Sequence, residues 1–339
     1  MAPLLRCGFE MASRIELDAS SQSGAWTLDF PTGRRAGTFA IRNLATGNNG
    51  FAANWQLNVP GAATEWYVRF SINASGTKSR RIDFGAVTTG VHCYLELGGS
   101  ATITARDNAG NSFGSTTTPL TTTHLIEMRY LRHSSTGIFQ LKIDGVMEIN
   151  FSGNTASTNS GGLAYMFVNT QTENGRGQTI DDVGFNDTTG SEHNSWLGDG
   201  YITMLIPNGD AGTNQWTPST GSSHYAVVDE RASNDDTDYL QSSTSGDKEQ
   251  LDTTTFTLAA GEEITMMQPV LVAKRVAADT PLDLEPGVLA GSTEDFSAAH
   301  TLTTSYKTYR GDFYTNNPDD SQMWEQADMD GVKVVFRNA

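Results

Sequence analysis

The side chains best equipped for chemistry are clustered carboxylates and a few tryptophans. Asp181, Asp182, Asn186 and Asp187 form one oxygen-rich run, and Asn234, Asp235, Asp236 and Asp238 form another. Hard cations such as calcium are held by several oxygen ligands, so Asp181, Asp182, Asp187, Asp235, Asp236 and Asp238 are the candidate metal ligands. Neither run completes a ligand loop, and strand capping or solvated turns account for the same residues. Asp181 and Asp182 are neighbours, so on a regular strand they face opposite sides, which suits turn capping better than shared catalysis.

Other reactive constellations fail on spacing. The six histidines, His92, His124, His133, His193, His224 and His300, show no pair at the spacing of a zinc site, and neither cysteine, Cys7 nor Cys93, stands beside one. There is no Gly-x-Ser-x-Gly elbow and no phosphate-cradling Gly-x-x-x-x-Gly-Lys-Ser/Thr loop. The expectation is a protein that is not an enzyme. Exposed tryptophans offer a different chemistry, because a sugar ring stacks its C–H face on an indole. Trp66 alternates with apolar neighbours and reads as core, whereas Trp196 and Trp216 lie in polar segments. These two are the candidate ligand-binding residues, with packing between domains as the competing reading.

The elements that must position such residues are strands. In EWYVRFSI, Trp66, Val68, Phe70 and Ile72 share one face while Tyr67, Arg69 and Ser71 take the other, the period of a half-buried strand. HLIEMRYL and GIFQLKI repeat the alternation across an HSSTG turn, and Asp144-Gly145 then supplies a tight hairpin, so residues 124–151 read as a three-strand meander. LLRCGFE, TFAIRNL, ANWQLNV, RRIDFGA, ATITARD, GLAYMFV and QTIDDVGF are further strands. In VHCYLEL, Cys93 alternates with Leu95 and Leu97 as a small buried hydrophobe. YITMLIP, EEITMMQPVLVAKRV, LTTSYKTYRGDFYT and GVKVVFRNA are read as strands of a second domain, Pro269 marking an edge or bulge, and the proline-containing AADTPLDLEPGVLAG as a loop or short turn. The expected fold is all-β, two β-sandwich domains over 1–195 and 196–339.

Charge separates the halves. Residues 1–198 carry 14 Lys and Arg against 16 Asp and Glu, while residues 199–339 carry 8 against 23, within a total of −17. No cluster of Lys and Arg exists to neutralise phosphates, which excludes direct nucleic-acid capture. No run approaches the length of a membrane span. Two cysteines without a leader pattern fit synthesis in a reducing cytoplasm. The acidity itself serves solubility, or else a cation-dependent surface or a basic partner.

The segment HLIEMRYLRHSSTGIFQLKIDGVMEINFSGNT, followed by IDDVGFND, resembles the laminin-G and concanavalin-A-like jelly-roll pattern over most of residues 1–190. NSWLGDGYITMLIPNGDAGTNQWTP, HYAVVDE, NDDTDYL and the closing SYKTYRGDFYTNNPDDSQMWEQADMDGVKVVF resemble tailed-bacteriophage virion proteins that append a second β domain to this jelly roll. The resemblance implies a structural virion protein made in the host cytoplasm and exposed on the particle as a homo-oligomer, docked on capsid or tail proteins. It implies either a tail-fibre or tail-tip adhesin for host-surface glycan, or a capsid decoration or head fibre; a free-standing carbohydrate-binding module is the further alternative. Glucanases of this fold carry Glu-x-Asp-x-x-Glu on one strand. Here Glu16-Leu17-Asp18 is followed by Ser21 where the second Glu would stand, so that catalytic pattern is broken.

Overall fold

The computed structural model describes residues 3–11, 17, 19–22, 26–34, 38–45, 52–61, 63–74, 80–86, 90–156, 159–171, 177–276 and 283–339. Glu16 and Asp18 lie outside the described residues, as do positions 277–282 of the proline-containing run. The chain divides into two compact units, Met1–Thr203 and Met204–Ala339. The divide therefore falls beyond residue 195, and residues 196–203 belong to the first unit.

The first unit contains β1 (Pro3–Cys7), β2 (Ala19–Gln22), β3 (Trp26–Asp29), β4 (Ile41–Ala45), β5 (Ala52–Asn58), β6 (Glu65–Ala74), β7 (Arg80–Ala86), β8 (Gly90–Leu97), β9 (Ile103–Asp107), β10 (Ser112–Ser115), β11 (His124–Leu131), β12 (Gly137–Ile143), β13 (Val146–Gly153), β14 (Tyr165–Gln171) and β15 (Gly177–Asp187). These form two antiparallel sheets. One has the order β13-β12-β11-β6-β15-β4-β3, with β1 added on β15; the other has the order β10-β9-β8-β7-β14-β5-β2. β5, β6 and β7 alternate between the sheets, as do β13, β14 and β15, while β7–β10 and β11–β13 run as meanders within one sheet, and the two sheets make the jelly-roll sandwich.

Alternation builds the core between them. Trp66, Val68, Phe70 and Ile72 of β6 meet Ile126, Met128 and Tyr130 of β11 on one side of the sandwich, and Ile82 and Phe84 of β7, Cys93 and Leu95 of β8 and Met166 and Val168 of β14 face them from the other. Trp66 stacks on Tyr130 at 5.1 Å between ring centroids and tilts against Phe84 at 5.4 Å. Tyr130 then donates its hydroxyl to the Thr155 carbonyl at 2.6 Å, so its buried phenol tip is satisfied. The meander follows the expected order, Asp144-Gly145 closing its second hairpin with both residues at positive φ (50° and 80°).

The second unit contains β16 (Pro207–Asn214), β17 (Thr217–Pro218), β18 (Leu240–Gln241), β19 (Lys248–Thr253), β20 (Val270–Ala273), β21 (Asp283–Ala290), β22 (Thr293–Phe296), β23 (His300–Thr301), β24 (Lys307–Arg310) and β25 (Lys333–Asn338), plus the short helix α1 (Gln326–Met329). The order β16-β19-β25-β21-β22, with β23 on β21, makes the main sheet, and the pairs β17-β18 and β20-β24 are separate ladders. One face of the main sheet carries Leu251, Leu284, Val288 and Phe336, which pack with Leu302, Tyr309, Tyr314, Trp324 and Met329.

Three local expectations change here. Residues 201–206 are not a strand, and the long strands read in 262–276 and 302–315 shrink to four-residue ladders. Conversely, Pro286 lies within β21, a central strand opposite Phe336 of β25. The proline is tolerated because β23 pairs up to Leu284 and β22 only from Gly287, so the position lacking an N–H falls in the gap between two short neighbours.

Replacement of Trp66 by Ala removes the ring that joins both sheets. We expect the first unit to lose about 3–5 kcal/mol, read as a lower denaturant midpoint with unchanged slope.

Candidate functional site

The two outer faces of the first sandwich have different fates, and a bulge in β15 decides which one stays open. Through Ile180, β15 pairs with Ile41 of β4; from Val183 onward it pairs with Cys7 of β1. Its register against β6 slips at the same point, between Asp181 and Gly184, and Asp182 takes φ +54°. The slip corrects the expectation that Asp181 and Asp182 diverge, since both carboxylates converge on Arg34. Asp181 Oδ2 accepts the Arg34 backbone N–H at 2.8 Å, and Asp182 Oδ2 accepts from Arg34 Nε at 3.1 Å. Gly33 permits the approach, because a Cβ there would stand 2.5 Å from Asp181 Oδ2.

This cluster holds residues 195–202 against the eight-stranded sheet. Asp182 Oδ1 accepts the Ile202 N–H at 2.8 Å, Arg34 pairs with Asp199 at 2.7 Å, and Glu127 Oε1 accepts the Gly198 N–H at 2.8 Å. Asn186 donates to the Ser195 carbonyl at 3.1 Å and accepts from Arg6 at 2.6 Å. Trp196 meets Tyr67 edge-on at 5.5 Å, with Lys142 Nζ 3.9 Å from its ring centroid. Tyr67, Arg69 and Ser71 are consequently buried, and β6, expected to be half-buried, is buried on both sides.

Burial pushes the Asp181 carboxyl up, with repulsion from Asp182 adding to it, and backbone N–H groups and Arg34 only partly oppose the rise. Asp182 is also raised by burial, against the pull of the Ile202 N–H, Arg34 and Arg69. Burial alone would lower Arg34, yet its bonds to Asp199 and Asp182 carry it above its ordinary value.

The outer face of the seven-stranded sheet is partly exposed, with Gln56, Phe167, Tyr94 and Arg106 half-buried and Asp83 buried. Residues between core positions project outward, and cross-strand pairing places them in one row: Gln56 of β5 opposite Phe167 of β14, Phe167 opposite Asp83 of β7, Asp83 opposite Tyr94 of β8, and Tyr94 opposite Arg106 of β9. Phe167 is half-buried between Met166 and Val168, both in the core. Arg81 pairs with Asp83 and lays its guanidinium 3.7 Å from the Tyr94 ring centroid. Arg106 pairs with Glu96 at 3.0 Å and donates to the Gly110 carbonyl at 3.0 Å. Gln56 donates to Asn58 at 2.6 Å. Tyr165 flanks the row beside Gly85, where a Cβ would fall 2.9 Å from the tyrosine hydroxyl. Burial raises Asp83, which Arg81 counteracts. The arrangement is an apolar ring among fixed donors and acceptors, suited to a ligand with a C–H face and a hydroxyl edge.

The residues singled out by sequence lie elsewhere. Trp196 packs within the first unit as described. Trp216 belongs to the second unit's core, donating Nε1–H to the Asp247 carbonyl at 3.1 Å and meeting Phe336 edge-on at 5.0 Å. Asp187 accepts from Thr189 N and Oγ1 at 2.9 and 2.6 Å as a turn cap. In the 234–238 run, Asp235 accepts from Ser233, Asp236 pairs with Lys274 at 2.6 Å and accepts from Tyr306 at 3.1 Å, and Asp238 accepts from Asn234. Among the described residues, no three His, Cys, Asp or Glu side chains converge on a point that could hold a metal ion. The outward row carries a signal visible in the strands themselves, since Tyr94 and Glu96 fill the outward positions of VHCYLEL. Its adjacency depends on β14 inserting between β5 and β7.

No family model matches the chain, and no curated protein matches it. Among solved structures it is similar to a Bacillus subtilis protein of unknown function with a galectin-like fold, at 10% identity over 55% of this chain and 96% of that one, TM-score 0.37. It is similar to the binding domain of Paraclostridial Mosquitocidal Protein 1, at 11% identity over 55% of this chain and 48% of that one, TM-score 0.38. It is also similar to a carbohydrate esterase from the Shiga toxin-encoding bacteriophage phi24B, at 11% identity over 55% of this chain and 99% of that one, TM-score 0.39. The chain spans 18% of a sialidase that it matches. The fold assignment rests on the strand order given above.

The raised Asp181 carboxyl has a signed consequence. Its pKa is about 7 in the folded protein against 3.8 for the free group, so between these values the folded state binds the extra proton. Stability of the first unit therefore falls as pH rises from about 4 toward 7. Asp181→Asn is expected to flatten that slope, read as denaturant midpoints across the window; equal slopes in variant and parent would refute the assignment.

Proposed function

We propose that the chain is a glycan-binding adhesion protein that recognises carbohydrate on the outer face of the seven-stranded sheet without cleaving it. The observation that carries the reading is the row Gln56, Phe167, Asp83, Tyr94 and Arg106, which sets one half-buried aromatic ring, uncovered by a cation, among amide, carboxylate and guanidinium groups on five adjacent strands. A sugar offers an apolar face and a rim of hydroxyls, and such a row supplies the complement to both. Rigid strands fix the side chains before the ligand arrives, which limits the ordering cost of binding.

Binding rather than hydrolysis is favoured by what the carboxylates do. Glycoside cleavage needs a proton-donating acid and a second carboxylate free to act as nucleophile or base. On this face Glu96 is engaged by Arg106, and Asp83 by Arg81. Placement on the exterior of a tailed-phage particle is drawn from the resemblance in residues 195–339, and with it assembly on other virion proteins. Symmetric copies would multiply weak glycan contacts into avidity.

On a glycan array, the intact protein is expected to retain a subset of bacterial-surface glycans, releasing no reducing ends from them. Phe167→Ala, a half-buried position outside the main core, is expected to weaken that binding about tenfold or more, equivalent to ~1.4 kcal/mol, with the melting curve preserved. Full binding by Phe167→Ala would remove this face from the proposal, and release of reducing ends would return the chain to the hydrolases.

A further inference from the structure

We infer that the ligand of this face is an uncharged glycan of several units, laid across the strands, and that two ion pairs within the face exclude acidic sugars. The inference rests on the glycan-binding reading above and sharpens it to a ligand class.

The charged groups described on the face are Arg81, Asp83, Glu96 and Arg106, two of each sign. In both arginines Nε is spent on a neighbouring carboxylate, so the side-on fork of Nε and a terminal nitrogen is closed to a newcomer. Arg81 is paired with Asp83 while lying on the Tyr94 ring, and Arg106 is divided between Glu96 and the Gly110 carbonyl. A uronate or sulfate group is captured most strongly by a free guanidinium fork that meets two of its oxygens at once. To offer that side-on fork, Arg81 must withdraw Nε from Asp83, whose side chain is only 12% exposed. That would strand a largely buried carboxylate beside an incoming anion, adding like-charge repulsion to lost pairing. A hydroxyl meets no such barrier, because paired carboxylates keep lone pairs free and amides such as Gln56 and Asn58 offer both donor and acceptor.

Tyr94 is covered by Arg81 and cannot also stack on a sugar, which leaves Phe167 as the open platform near one end of the row. From Gln56 to Arg106 the row crosses four strand-to-strand steps, or about 19 Å at ~4.8 Å per step. One pyranose ring cannot reach from the platform to the polar far end. Ligands of several units reach both.

The test is titration calorimetry on the intact protein with unsubstituted oligosaccharides of one to six units, chosen from the glycans retained on the array, and with uronate- or sulfate-bearing counterparts of equal length. The neutral hexamer is expected to bind at least about tenfold tighter than both its acidic counterpart and the monosaccharide. Glu96→Gln, at a half-buried position, frees Arg106 Nε and is expected to raise affinity for the acidic series several-fold while leaving the neutral series within about twofold. Acidic ligands that bind as tightly as neutral ones, a Glu96→Gln protein with no gain for acidic ligands, or a monosaccharide that binds as well as the hexamer would each overturn the inference while leaving glycan binding intact. Failure to bind any glycan, neutral or acidic, would overturn the underlying reading and this inference with it.

Discussion

The first unit depends on Arg34 being held between two buried aspartates at the point where β15 changes neighbours. A strand that leaves β4 and takes up β1 must absorb a local slip, and Asp182 absorbs it with a left-handed backbone that Asp tolerates better than most residues. The slip turns two adjacent carboxylates to one side. Burying both without a cation would be costly, and the elevated pKa of each marks the part of that cost that Arg34 does not remove. The cluster therefore makes sense only with Arg34 present. Through Asp199, Gly200 and Ile202, it makes sense only with the 195–202 segment present as well.

That segment divides the labour between the sheets. A two-sheet sandwich begins with two outward faces of similar alternation, either of which could serve recognition. Trp196, Leu197 and the backbone from Gly198 to Ile202 close one of them, and Gly184 leaves room for Leu197, whose Cδ2 would stand 2.6 Å from a Cβ at that position. On the proposed reading, recognition is left to the other face. The same covering explains why Arg69 and Glu127 can be buried, since their partners are main-chain groups of the segment in front of them.

Period two made most of the first unit legible. Trp66, Ile126 and Phe139 sit where alternation puts them, and the Asp144-Gly145 hairpin needed only local information. What sequence could not show was non-local. The meaning of Asp181 and Asp182 depended on a bulge produced by the exchange of β4 for β1, and Arg34 stands almost 150 residues away along the chain. Trp196 and Trp216 were singled out because their neighbours are polar, but an indole in a polar segment can be the means by which that segment is anchored, which is its role at both positions. The outward row was readable residue by residue and hidden as a row. Pro286 misled for a related reason, since a proline forbids one hydrogen bond and β21 has a gap where that bond would fall.

On the glycan-binding proposal, the chain's net charge bears on selectivity only within the reach that screening allows. Residues 199–339 hold most of the chain's −17, and the outer side of their main sheet is laced by pairs joining Lys248 to Glu294, Lys333 to Asp252 and Arg337 to Glu285. The surplus acidity would slow the approach of any polyanion at low salt. At physiological ionic strength the screening length is about 8 Å, so a charge farther than that from a bound ligand contributes little to its energy. Discrimination that persists in salt must come from charges touching the ligand. On the open face, those are the two guanidinium groups already committed to Asp83 and Glu96, so selectivity there is a property of local pairing rather than of net charge.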